Sequence, residues 1–141
     1  MAAFINSITI ATANTNRDGS GAAMFALVKP TPGTEIELSS ISIRAFTTTT
    51  AGMIRLFIKV GGVMSLLHEV PVAAITVGAS TAGFAHVIAF ITGLDPMGLA
   101  VTGDTRLPPL VIPPNAELYV ATHNSESFAI HAVGQSRPAR G

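Results

Sequence analysis

MIRLFIKVGGVMSLLHEV, residues 53–70, decides how the rest of the chain is read. Ile54, Leu56, Ile58 and Val60 alternate with Arg55, Phe57 and Lys59, which is the two-residue period of a strand with one face inward. The other face then presents two cations around an exposed aromatic. Gly61 and Gly62 supply the turn, because glycine tolerates the positive φ that tight hairpins need. VMSLLHEV returns antiparallel. The expectation is a β-hairpin at the centre of the chain.

The neighbouring segments extend this pattern. In TEIELSSISIRAF, residues 34–46, Ile36 and Leu38 share one parity and Ile41 and Ile43 the other. The switch at Ser39–Ser40 predicts either a bulge or a corner where the strand changes sheets. FINSITIAT, AAMFALVK, LPPLVI, AELYVAT and SFAIHAVG are further strand candidates, and no window shows sustained helical periodicity. Nine prolines punctuate the runs. About nine or ten short strands with regular turn signals predict an all-β fold, an antiparallel, jelly-roll-like β-sandwich. One such domain is expected over residues 1–141, with a short flexible tail at 135–141. DPMGLAVTGDTRLPP, residues 95–109, is the longest expected excursion and has room for a short helical turn.

Pro71 to Leu94 carries no formal charge and is long enough to span a bilayer as a helix. GASTAG in its middle and the β-branched and aromatic flanks VAAITV and FAHVIAFI argue instead for two buried strands joined by a loop. No membrane partner is expected.

Composition limits the function. Of 141 residues 48% are hydrophobic and only 11% charged, against about 25% in ordinary domains. So few charges on a small β-protein point to apolar surface buried between subunits. Net charge is zero, so the clustered basic surface that nucleic acid requires is not expected. There is no cysteine, which rules out disulfides and thiolate chemistry. MAAFINSITI lacks a basic n-region, so no cleaved secretory signal is expected.

HNSESFAIH, residues 123–131, is the stretch that most suggests chemistry. Leu118, Val120 and Thr122 share a parity, as do Phe128, Ile130 and Ala132. With both sets inward, the expectation is a hairpin with loop 123–127, Thr122 opposite Phe128 and His131 opposite Tyr119. His123 and His131 then stand about 13 Å apart, too far to share a metal ion. No H-x-H occurs. His68 and Glu69 are adjacent and face opposite sides of a strand. His86 lies on a stripe with Phe84, Ile88 and Phe90, as a core or interface histidine would. NTNRDGSG, residues 14–21, has one carboxylate, Asp18, and Phe25 where a calcium loop needs its bidentate glutamate, so it reads as a flexible turn. GASTAG has no lysine after it and is not a phosphate loop. No enzyme, metal or cofactor is expected.

LVIPPNAELYVATHN gives an apolar strand, a Pro-Pro-Asn turn, an alternating strand and a polar tip, followed by the strand SFAIHAVG. With RLFIKVGG and LLHEVPV upstream, this layout resembles the jelly-roll cement, or decoration, proteins of tailed bacteriophages. The likeness covers residues 50–134 as an order of strands and turns. It implies a virion structural protein on the capsid exterior, assembled in the host cytoplasm. Its partners would be the major capsid protein and itself, as a homodimer in preference to a homotrimer. Such proteins have no active residues to carry over. Candidate contacts are Arg55, Phe57 and Lys59 on the outward face of their strand, Tyr119 with His131, and Arg137 and Arg140 of the basic end SRPARG, since arginine and aromatics anchor interfaces. FINSITI could also add a strand to a neighbour. The alternatives are a carbohydrate-binding module, weakened by the absence of Trp and the single Tyr, and a receptor-binding fibre tip.

Overall fold

A computed structural model describes residues 2–91 and 105–139. Among them are ten strands, β1 (Ala2–Ile10), β2 (Phe25–Val28), β3 (Thr34–Ala45), β4 (Gly52–Val60), β5 (Val63–Val72), β6 (Ala85–Phe90), β7 (Thr105–Leu107), β8 (Leu110–Ile112), β9 (Ala116–Thr122) and β10 (Phe128–Pro138). They form two sheets. The six-stranded sheet runs β1-β10-β3-β6-β7, with β8 also paired to β3, and the four-stranded sheet runs β2-β9-β4-β5. All pairings are antiparallel except β6 with β7. With β7 and β8 set aside, each sheet has four strands, and the chain changes sheet at every connection but β4–β5. That is the order of a jelly-roll-like sandwich.

The inward faces meet in one core. Ile10, Leu38, Ile41, Ile54, Leu56, Ile88, Leu118, Val120 and Ile130 have no exposed surface. The alternation seen in residues 53–60 places Ile54 and Leu56 there, and Gly61 and Gly62 turn the hairpin with φ of 58° and 83°. Val60 pairs with Val63, as the turn requires.

The parity switch in β3 is a bulge. Val133 pairs with Ser40 and Gly134 with Leu38, which leaves Ser39 as the extra residue. Its hydroxyl donates to the Val133 carbonyl at 2.9 Å. Both halves of β3 stay in one sheet, so the corner is not used. The bulge lets Ile36, Leu38, Ile41 and Ile43 all point inward despite their mismatched spacing.

Other expectations are corrected. HNSESFAIH is not a hairpin: β9 belongs to the four-stranded sheet and β10 to the six-stranded one, so residues 123–127 cross between sheets. Thr122 and Phe128 are both buried, as their parities predict, but Thr122 pairs with Ile54 of β4 and Phe128 with Ile10 of β1 and Ala45 of β3. VAAITV is not a strand; beyond Val72 this part of the chain makes only the isolated bridges Thr49–Ile75 and Gly78–Thr81. AAMFALVK is strand only over β2, and LPPLVI is divided at Pro108–Pro109 into the last residue of β7 and the whole of β8. Proline cannot donate to a ladder, which accounts for the break. The expected tail is strand as far as Pro138. Residues 95–104 of the expected excursion, with any helical turn, lie outside the described residues. Among the described residues no helix is long and apolar enough to cross a membrane.

Candidate interaction surfaces

The outward face of the four-stranded sheet carries most of the expected contacts, and the structure withdraws two of them. Phe57 has no exposed surface, and the Arg55 side chain is 8% exposed. The cause is the β1–β2 connection, residues 11–24, which folds back over this face. Its Asn14 amide NH donates to the Thr122 carbonyl at the end of β9. The buried Asn14 side chain then holds the loop together, donating to the Ser20 carbonyl at 3.1 Å and accepting from the Asn16 amide at 3.1 Å. This closure brings Gly19 against Phe57 and Met64. Residues 14–21, expected to be a flexible turn, are therefore a hydrogen-bonded cover.

An ion-pair clamp fixes that cover to the sheet. Arg17 reaches from the loop to Glu69 on β5 in fork geometry, Nε to Oε2 at 3.1 Å and Nη2 to Oε1 at 2.8 Å. Arg55 Nε donates to the same Oε2 at 2.8 Å, and its Nη1 reaches the Thr15 carbonyl at 3.4 Å. Charge-assisted, bidentate bonds of this kind are stronger and more directional than neutral ones. The two guanidiniums, Arg17 first and then Arg55, hold the Glu69 carboxyl below its usual range. Asp18 is lowered as well, through bonds from the Ser20 hydroxyl and amide. Arg55 is thus a structural cation rather than a contact.

Lys59 and Tyr119 remain partly exposed on this face. The Lys59 ammonium lies 5.9 Å from the centre of the Tyr119 ring. The Tyr119 hydroxyl donates to Glu117 at 3.1 Å, and Glu117 pairs with Lys29 at 3.3 Å. Burial, followed by the Glu117 carboxylate, raises the phenol.

His131 is elsewhere. It lies on the outward face of the six-stranded sheet, paired with Ser7 in β1, and shares a 2.6 Å hydrogen bond with the Ser7 hydroxyl. It does not oppose Tyr119, whose Cα partners are Phe57 and Ala26. His123 bonds instead to Asn124. Arg137 is drawn into the sheet and bonded to Glu35 at 2.8 Å and Glu37 at 3.5 Å, with its side chain 15% exposed. Arg140 lies outside the described residues. The expected contacts are therefore divided between two opposite faces and do not form one site.

The outward face of the six-stranded sheet has a feature not singled out from sequence. Across β1, β10, β3 and β6, its middle carries Ile5, Ser7, His131, Val133, Ser42 and Val87, with no carboxylate, lysine or arginine. Arg44 bounds it at one end, and the cluster of Glu35, Glu37 and Arg137 at the other. Ile5 is 71% exposed and sits directly opposite Val133 in the ladder. Beyond Arg44, the exposed Phe46 borders a hollow of about 290 Å³ lined also by Ala82, Gly83 and Ala85. The signal in the sequence was Ile5 itself, an isoleucine on the same parity as Ala3, Ser7 and Thr9.

Between β5, β6 and the β7–β8 stretch, His68 and Phe90 border a hollow of about 250 Å³ with Leu67 and residues 107–110. Burial, and secondarily His86, lowers the His68 imidazole. His86 shares a 2.9 Å bond with the Thr105 hydroxyl and stacks on Phe84. His68 points inward and Glu69 outward, as adjacent strand residues must. Among the described residues, no three histidine, aspartate or glutamate side chains are placed to hold a metal ion. No protein-family model matches the sequence, and no curated protein matches it.

Proposed function

We propose that this protein is a non-enzymatic cement, or decoration, protein that binds the outside of a phage capsid and stabilises it by bridging major capsid proteins. The observation that carries the reading is the stretch free of charged side chains across β1, β10, β3 and β6 on the outward face of the six-stranded sheet, bordered by Arg44 and by Arg106 of β7, with Ile5 and Val133 exposed side by side in it. Jelly-roll-like strand order and the chain's low charge support it. A face with few long, flexible side chains suits docking against another protein surface, because little side-chain freedom is lost on contact.

The energetics favour a multivalent mode. Ile5 is 71% exposed and Val133 39%, so covering what remains contributes only that share of the about 1.5–3 kcal/mol of a fully exposed side chain, about 1–2 kcal/mol for Ile5 and about 1 kcal/mol for Val133. Association costs about 4–15 kcal/mol in lost freedom, so one such face holds weakly. An oligomer that grips several capsid proteins converts later contacts into intramolecular ones and gains affinity without new chemistry. A carbohydrate-binding role is less well supported, because Tyr119 is half-buried under Lys59 and bonded to Glu117 rather than standing clear as a stacking platform.

The test is co-sedimentation of the purified protein with empty expanded capsids assembled from the major capsid protein encoded with it. Binding at a fixed ratio, raised capsid melting temperature and at least a tenfold loss of binding in Val133→Glu are expected. Val133 is on the surface, so that variant should keep its fold. Absence of co-sedimentation, or binding unchanged in Val133→Glu, would overturn the reading.

A further inference from the structure

We propose that β1 is a self-association edge, through which two copies of this chain pair antiparallel about a two-fold axis and join their six-stranded sheets into one. The inference rests on the assembly reading for why self-association matters, and it names the surface.

An exposed edge strand presents unpaired N–H and C=O groups, and proteins blunt it with short length, proline, bulges or charge. β5 carries the bulge at Leu67, Pro71 and the clamped Glu69. β2 is four residues long, is irregular between Ala26 and Val28, and has its Leu27 carbonyl capped by the Asn6 side chain at 2.8 Å. β7 and β8 are three residues each, with Pro108 and Pro109 between them. β1 has none of these devices. It is nine residues long, unbroken in register from Ala2 to Ile10, and free of proline and charge. Among the described residues, β10 is the only strand whose backbone pairs with it.

The side chains agree. Phe4 and Ile8 point inward yet are only partly buried, so the core stays open along this edge. Ile5 on the outward side is 71% exposed. A second β1 would cover Phe4 and Ile8 and bring Ile5 beside Ile5 or Ser7 of the other copy.

A second copy fits better than an unrelated strand because the surface is self-complementary. A two-fold axis normal to the sheet keeps outward residues outward, and with no charge in the strand no like charges meet in any register. Nine paired residues span about 30 Å, and a contact about 16 Å across buries roughly 1,000 Å² in total, at the threshold for a specific interface.

The test is light scattering over a hundredfold concentration range, combined with labelling. The natural chain should be a dimer. Ile5→Lys should be a monomer that still unfolds cooperatively in urea, at a midpoint that no longer rises with protein concentration, because it sets like charges near the axis at an exposed position. Val63→Lys, an equally apolar exposed site at the β4–β5 turn, should stay dimeric. A nitroxide on Ser7→Cys, in a chain with no cysteine of its own, should show short-range dipolar coupling, since a two-fold centred from Ile5 to Ser7 leaves these positions within about 15 Å. A monomer or trimer overturns the inference, as does a dimer without that coupling. Loss of capsid binding with the β1 dimer intact would remove the assembly reading alone.

Discussion

Phe57 lies on the outward parity of β4 and still has no exposed surface, because residues 11–24 cover it. That cover depends on a few polar residues. Glu69 accepts from Arg17 of the loop and Arg55 of the sheet, and so ties one to the other. Gln in its place cannot carry the charge and can accept through one oxygen only. Glu69→Gln is therefore expected to open the loop and speed limited tryptic cleavage after Arg17 several-fold, with mass spectrometry locating the cut. An unchanged rate would mean that Asn14 alone holds the cover. Alternation in the sequence identifies which side chains share a face, and it does so correctly for residues 53–60. It is silent on whether another segment lies on that face, so the expected exposure of Phe57 and Arg55 was wrong.

At the scale of elements, the bulge in β3 is what reconciles two hydrophobic parities with one core. Opposite it, Gly134 passes so close to β3 that an added Cβ would lie 2.2 Å from the Glu37 carbonyl oxygen. The obstacle is backbone, which cannot rotate away. Gly134→Ala is expected to destabilise the protein by about 2 kcal/mol, in the range of overpacked sites, as read from urea unfolding. A change under about 0.5 kcal/mol would mean that the bulge relaxes freely. Pairing was harder to read than parity. Consecutive strands usually neighbour one another, yet among the described residues only β4–β5 and β6–β7 pair along the sequence. The supposed hairpin at residues 123–127 failed for that reason: both strands have an inward face whether they share a sheet or oppose each other across the core.

At the scale of the whole molecule, His68, Glu69 and Asp18, among the described residues, make stability depend on pH in the same direction. His68 is lowered from 6.5 by burial and His86, while Glu69 and Asp18 are lowered from 4.5 and 3.8 by their hydrogen bonds. In each case the unfolded chain takes up its proton at higher pH than the fold does. Stability is therefore complete above the unfolded values and falls as pH drops. The expected profile of melting temperature against pH is flat from about 7 to about 9, declines below about 6.5 as His68 protonates in the unfolded chain, and steepens below about 4.5. His68→Gln should flatten the upper decline and leave the lower one. A natural profile with no change between pH 7 and 5 would contradict the burial of His68.

The sequence by itself determined that this chain is a β-protein of about ten strands, which residues turn inward, and that its charge is sparse. These follow from two-residue periodicity, turn residues and composition, all of which are local or additive. Only the tertiary structure decided which strands pair, that residues 11–24 cover one sheet, that Arg137 is spent on Glu35, and that β1 is an unblunted edge. Each of these depends on contacts between segments far apart in the chain. Alternation fixes a side chain's face, but burial and pairing are fixed by whatever packs against that face.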